Sequence, residues 1–369
     1  MVAGLLFLPL PAFYGRSWAV VIVMLATSLL LLYQVLGAAL LPRAVPRNRA
    51  LIYGTGSRAQ AVGQRMRRPG AHTELVGFFA SPNEQEHLVA QSDVLDPQQS
   101  LQALVRGQRI GEIVVALSER RGGSMPMREL LDCKLSGVRV IDVATYFEQN
   151  AGQIRLDAMS AGFLIFGDGF NQGFWRTGTK RVFDIFSALV LIILSSPLML
   201  LATLAIKLES PGPVLYRQER VGLFGAPFNV VKFRSMRTDA EKDGVPRWAT
   251  AGDSRITRVG RVIRKLRIDE LPQLFSVLVG TMSMVGPRPE RPYFVEQLTQ
   301  EIPFYAVRHS VKPGVTGWAQ VSYQYGSSKE DTVEKLQYDL YYVKNHSLFL
   351  DLVILFQTVG VVLTGKGAQ

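Results

Sequence analysis

The chain has 369 residues, 48% of them hydrophobic and 19% charged, with a formal net charge of +11. A single cysteine, Cys133, excludes an internal disulfide, and four histidines without ligand spacing to one another or to that cysteine argue against a zinc site. A basic balance suits nucleic acid, anionic lipid or a phosphorylated substrate, and the long apolar runs turn the choice toward the last two and away from nucleic acid.

Residues 1–42 are predicted to form the transmembrane segment or segments. Trp18–Leu41 is uncharged and long enough to cross a bilayer, and Arg43, Arg47 and Arg49 follow at once, which places that end in the cytoplasm. Val2–Phe13, interrupted by Pro9 and Pro11, reads as a partial span or half of a hairpin.

Residues 50–150 alternate strand and helix. Strands are predicted in the run from Ala50 to the glycine turn at Gly54 and Gly56, then at Glu74–Ala80, Glu112–Leu117 and Val138–Val143. Helices are predicted over Ser57–Arg68, with Ser57 as N-cap, and over Met125–Leu135. Such alternation argues a parallel α/β module. Gly54-Thr-Gly56-Ser-Arg-Ala59 stands between strand and helix as a dinucleotide fingerprint does, yet no acidic residue ends the second strand to hold a ribose. A structural or regulatory role, such as forming a homodimer, is the preferred reading of this module over nicotinamide binding. Residues 151–178, rich in Gly, Phe and Asn, read as a linker.

A second membrane segment is predicted over 182–208. Pro197 removes an amide hydrogen and clashes with the carbonyl four residues back, while the hydroxyls of Ser195 and Ser196 are placed to satisfy the freed carbonyls. Lys180 and Arg181 precede the segment, and Lys207, Arg217 and Arg220 follow it, pulling both ends toward the cytoplasm. Two readings stand side by side: a bent helix that dips in and returns, and an ordinary kinked span.

Between Lys207 and Arg267 there are 14 Lys/Arg against 6 Asp/Glu. Arg255, Arg258, Arg261, Arg264 and Arg267 recur every three residues, and Val259, Ile263 and Leu266 make the apolar stripe of an amphipathic helix. Guanidinium forks on such a helix suit phosphate oxygens, and a generic lipid-facing surface is the plainer alternative. Asp269-Glu270-Leu271-Pro272 then falls in the break before a new helix. An aspartate held there against a bound phosphate is a candidate nucleophile, and ordinary helix-start chemistry is the alternative. Two rigid turns follow, Gly286-Pro-Arg-Pro-Glu290 and Lys312-Pro-Gly-Val-Thr-Gly-Trp318. Trp318 is a candidate to stack on a base, or the turn is structural. Residues 348–364 read as a C-terminal interfacial helix, interrupted by Asp351 and Gln357.

In order and spacing, Lys180-Arg-Val-Phe-Asp184, Ser196-Pro197, Gly212–Gly222, Lys232-Phe-Arg-Ser-Met236, Asp253–Gly260, Asp269-Glu-Leu-Pro-Gln-Leu274, Met282–Pro289 and Lys312–Gln320 resemble the bacterial sugar transferases, the monotopic phosphoglycosyl transferases of exopolysaccharide and O-antigen assembly. The likeness covers about residues 176–369. It implies a mostly helical catalytic domain over 179–369 whose re-entrant helix, broken at Ser196 and Pro197, enters one leaflet. It further implies that Asp269 attacks the β-phosphate of a UDP-sugar, releasing UMP, and that polyprenyl (undecaprenyl) phosphate then takes the sugar phosphate. By the same likeness Glu270 assists the acceptor or positions the metal, Mg2+ sits close to Asp269, and Lys232, Arg264 and Arg288 grip phosphates. The remainder resembles longer family members that add transmembrane helices and a Rossmann-like module, so the expected class is a membrane-associated α/β protein of the bacterial inner (cytoplasmic) membrane with its catalytic domain on the cytoplasmic face. Two other classes are weighed. A nucleotide-sugar oxidoreductase working through residues 50–150 needs a Tyr-x-x-x-Lys pair, which that module lacks. A non-catalytic scaffold leaves the clustered arginines unexplained.

Overall fold

The computed structural model describes residues 48–364 apart from 70, 72, 83, 85, 97, 118–124, 158, 160–168, 171–172, 239–252, 254 and 324–327. The transmembrane segments expected over 1–42 lie outside the described residues. The chain is mixed α/β, and it divides between Ile141 and Asp142 into two compact units.

The first unit holds β1 (Asn48–Tyr53), α1 (Ser57–Met66), β2 (Thr73–Phe79), α2 (Leu101–Gly107), β3 (Glu112–Val115), α3 (Met127–Leu135) and β4 (Arg139–Asp142), the last ending at the boundary. The four strands form one sheet in the order β2-β1-β3-β4. β1 runs parallel to both neighbours, Leu51 facing Gly77 on one side and Ile113 on the other. Apolar residues of strands and helices close a core around Leu51, Tyr53, Leu101, Ile113, Leu130 and Val138.

The glycine turn after β1 departs from the expected N-cap. Gly56, not Ser57, occupies the cap position of α1, and no side chain of the turn caps it. The free amides are taken from a distance. Glu84 accepts from Thr55 N at 2.6 Å and from Gly56 N at 3.1 Å. Thr55 Oγ1 meets the same carboxylate at 3.1 Å and His87 Nδ1 at 2.7 Å. A carboxylate thus lies where amides and helix dipole would favour an anion.

The second unit begins with α4 (Val143–Ala151), capped by Asp142, whose Oδ1 accepts from Thr145 N at 2.9 Å. There follow α5 (Phe174–Glu209), the hairpin β5 (Leu215–Val221) and β6 (Pro227–Phe233), α6 (Arg258–Lys265), a 3-10 turn at Ile268–Glu270, α7 (Gln273–Val279), β7 (Ser283–Val285) and α8 (Pro292–Glu301). A second 3-10 turn at Tyr305–Ser310 leads to β8 (Gly314–Thr316), α9 (Trp318–Ser322), α10 (Lys329–Asn345) and α11 (Leu348–Thr364). α11 coincides with the helix expected at 348–364.

Among the described residues α5 alone is long and apolar enough to cross a membrane. Its 36 residues would extend about 54 Å at 1.5 Å per residue if straight. Pro197 leaves the carbonyl of Ile193 without an amide, and Ser196 Oγ donates to it at 2.9 Å; Ser195 Oγ donates to Leu191 O at 2.6 Å. Both ends of the helix pack on the same unit. Near its start Ala188 joins the core of Val277, Met284, Val285, Tyr342 and Ile354. Near its end Ala202 and Ile206 join Phe233, Ile263 and Ile268. Between these anchors Ile193, Leu194, Leu200 and Leu201 are exposed.

Cations that flank α5, expected to hold its ends in the cytoplasm, are engaged within the protein. Lys180 Nζ pairs with Asp351 Oδ2 at 2.7 Å, and Asp351 Oδ1 accepts from Tyr342 OH at 2.7 Å. Arg181 donates to the carbonyls of Val277 and Leu278, at the C-terminal end of α7 where a cation is favoured. Asp184 is buried, accepting from Ser283 Oγ and Met284 N at 3.0 Å each. These contacts explain why charged residues open so apolar a helix: they lock its first turns to β7 and to the α10–α11 corner.

Candidate active site

Three local features bring the predicted residues together. On β6, Phe233 turns into the apolar cluster beneath α6, so its neighbour Lys232 faces the other way. α6 starts at Thr257, whose hydroxyl accepts from Gly260 N at 2.8 Å, and its first amides at Arg258 and Val259 are also bound by the carboxylate of Glu209, the last residue of α5. Gly260 is required by close approach, since a Cβ there would lie 1.9 Å from Ser235 O. After α6 the chain reverses through Arg267, a non-glycine residue at φ +57°, into the 3-10 turn that carries Asp269 and Glu270. That conformation is strained for an L-residue and is held by the packing around it.

Both carboxylates are buried, each 8% exposed. Glu270 Oε1 lies 2.9 Å from Lys232 Nζ, 2.9 Å from Arg288 Nη2 and 3.8 Å from Arg267 Nη1. Among the described residues Asp269 makes no hydrogen bond or ion pair with its carboxylate. Burial pushes both acids up, but at Glu270 Lys232, Arg288 and Arg267 outweigh it and hold the group ionised, well below the usual carboxylate range. At Asp269 burial and the Glu270 charge prevail over Lys232, Arg264 and Arg288, and its pKa is pushed up to about 6. Two adjacent acids thus have separated titrations, the pattern of groups assigned different tasks.

The structure therefore gathers Asp269, Glu270, Lys232 and Arg288, with Arg264 near enough for its charge to act on Asp269. Among the described residues Ser196 hydrogen-bonds within its own helix. Trp318 does not serve as a stacking platform: its indole N–H donates to Gly152 O at 2.8 Å and its ring packs against Tyr341 and Tyr338. Arg267, Arg220 and Arg308 belong to the surroundings of the site, and none of them is among the residues the resemblance gives as gripping phosphate. Arg267 carries a signal in the three-residue arginine repeat, whereas the other two reach the site only through tertiary folding.

No group of three or more His, Cys, Asp or Glu side chains suited to a metal ion occurs among the described residues. Magnesium does not require one, since it takes one or two carboxylates and completes its shell with water and substrate phosphate. With Glu270 held by two cations, the unpartnered carboxylate of Asp269 fits that limited role.

A family model described as bacterial sugar transferase matches residues 175–365. Over 242 residues the chain is 47% identical to the UDP-N-acetylgalactosamine-undecaprenyl-phosphate N-acetylgalactosaminephosphotransferase of Aeromonas hydrophila, covering 66% of this chain and 56% of that protein. Over 279 residues it is 39% identical to the UDP-glucose:undecaprenyl-phosphate glucose-1-phosphate transferase of Escherichia coli (strain K12), covering 73% and 59%. A protein of the same description from Caulobacter vibrioides is 47% identical over 193 residues, covering 51% and 71%. The chain spans somewhat more than half the length of the first two relatives. With the family model matching more than half of its residues, the chain belongs to the bacterial sugar transferase family.

Proposed function

We propose that this chain moves a sugar 1-phosphate from a UDP-sugar to undecaprenyl phosphate through a covalent intermediate on Asp269. The observation that carries the reading is the asymmetry of the buried pair: one carboxylate pinned by Lys232 and Arg288, the other unpartnered beside the same cations. An Asp269 oxygen attacks the β-phosphorus, the bridging P–O bond breaks, and UMP leaves with the electron pair. The acceptor's phosphate oxygen then attacks that phosphorus and the Asp269 carboxylate is released. Lys232, Arg264 and Arg288 orient the diphosphate and offset charge on its oxygens, which is most of what phosphoryl transfer asks of a protein. Asp269 would be the residue to hold a magnesium ion, which would supply further charge neutralisation. Glu270, kept ionised by its ion pairs, fixes Lys232 and Arg288 in place.

The reading includes the inner membrane, with the catalytic unit on the cytoplasmic face and α5 as a re-entrant helix. It is supported by the anchoring of both ends of α5 to one folded unit while its apolar middle is exposed. The names of the relatives make UDP-N-acetylgalactosamine and UDP-glucose the first donors to try. The test is UMP release from a panel of UDP-sugars by protein in nanodiscs with magnesium and undecaprenyl phosphate. Release by the wild type, reduced on the order of a thousandfold or more in Asp269→Asn, is expected for a lost nucleophile. No release with any donor from folded protein overturns the proposal.

A further inference from the structure

Arg288 lies between two prolines, Pro287 and Pro289, neither of which can donate an amide hydrogen. The backbone of this turn is therefore held from outside, carbonyl by carbonyl. Gly314 N donates to Pro287 O at 3.0 Å. Arg308 Nη2 donates to Arg288 O at 2.9 Å. Arg220 Nη1 donates to Pro289 O at 3.2 Å.

Arg308 is the most deeply placed of these donors, 6% exposed. It sits in the 3-10 turn that follows Phe304, a residue at φ +63°. Its Nε and Nη2 lie 3.0 and 2.8 Å from Asp339 Oδ2 on α10, and its Nη1 donates to Tyr305 OH at 2.8 Å. All three nitrogens of one planar group are thereby fixed. A buried ion pair is a poor stabiliser compared with apolar side chains of the same volume. Stability alone does not call for a guanidinium here, whereas reaching a carbonyl, a phenol and a carboxylate at once does.

We infer that Arg308 is a positioning residue for the transfer reaction: clamped by Asp339 and Tyr305, it holds the main chain of Arg288 so that the Arg288 guanidinium stays on Glu270 and faces the donor phosphates. The inference rests on the proposed function for its link to catalysis and on geometry alone for the clamp. Lysine can keep the charge at 308 but cannot fork among three partners.

The test uses the full chain in nanodiscs, with Arg308→Lys, Arg288→Ala and the double variant. Hydrogen exchange in a peptide spanning Met284–Arg291 is expected to quicken severalfold in Arg308→Lys, with peptides of the first unit unchanged. UDP affinity and kcat/KM for UMP release are expected to fall about tenfold in that variant, the scale of a lost hydrogen bond to a charged donor. In an Arg288→Ala background the same substitution is expected to cost nothing more, because its effect runs through Arg288; a general packing role would give an additive loss. Should Arg308→Lys not fold, the paired replacement Arg308→Met with Asp339→Leu leaves no orphaned charge and makes the same predictions. Unchanged exchange in the Met284–Arg291 peptide of a folded variant, or an additive loss, overturns the inference. If the wild type releases no UMP, the transferase reading falls, while the exchange result still decides whether Arg308 holds the turn.

Discussion

At the scale of single residues the decisive contrast is between two neighbouring acids with different partners. The attack proposed for Asp269 requires its carboxylate form, and its raised pKa makes that form scarce below about pH 6. A rate profile with an acid limb near 6 is the expected result in limiting magnesium, with the limb moving to lower pH as magnesium is added, because a bound cation favours the ionised form. Lys232→Met removes a charge that opposes the rise and should shift the limb upward at fixed magnesium; a limb that stays in place would show that Lys232 does not act on Asp269. The same raised pKa means the folded chain holds this proton more tightly than the unfolded one. Its stabilising effect is complete below the ordinary aspartate range and is lost as pH rises through about 6. The acids and Lys232 were legible as motif members, with roles implied by the resemblance, but the different partners of the two acids were not. It depends on Lys232 reaching across from a strand 38 positions away in the chain, a contact with no local period.

At the scale of elements, spacing and composition anticipated the four strands of the first unit with α1 and α3, and α6, α7 and α11 of the second, within a few residues, but not β5–β8, α2, α4, α8, α9 or α10, nor the early start of α5 at Phe174. The bond of Ser196 to the carbonyl of Ile193 followed from the position of Pro197, whereas Ser195 bonds Leu191 O, a carbonyl that Pro197 does not free. What sequence could not give was the use made of the charged residues. Lys180 and Arg181 read as flanking cations that hold a helix end in the cytoplasm, whereas they and Asp184 have partners on α11, α7 and β7. Likewise the choice for Trp318 between stacking on a base and a structural turn stayed open, because nothing local reveals that Gly152 accepts its N–H. For α5 itself, a cysteine placed in turn at residues 178 and 211 of a Cys133→Ser background should be labelled from the same face of the bilayer. Pro197→Leu restores the missing amide and favours a straight helix, so one of the two positions should become protected. Equal labelling in both proteins would remove Pro197 as the cause of a return.

At the scale of the whole molecule, two units with separate cores invite separate unfolding. Glu84 is the natural probe, because its carboxylate satisfies two amides at the start of α1 from 28 and 29 residues away. Glu84→Ala leaves them without that partner and should cost about 2 kcal/mol in the first unit, lowering one thermal transition by several degrees. UMP release should be unaffected, and nicotinamide dinucleotides should raise neither transition of the wild type. The glycine fingerprint was legible; its occupation by a carboxylate was not, since a distant glutamate leaves no mark on the pattern around the turn.

The bond between Glu209 and the first amides of α6 has a mechanical consequence. The last residue of the apolar helix grips the first turn of the arginine helix, and that helix runs directly into the turn bearing Asp269. In the membrane setting proposed above, a vertical displacement of α5 would be transmitted through this coupling to Asp269, so a bilayer of mismatched thickness would tilt the floor of the candidate site instead of merely loosening an anchor.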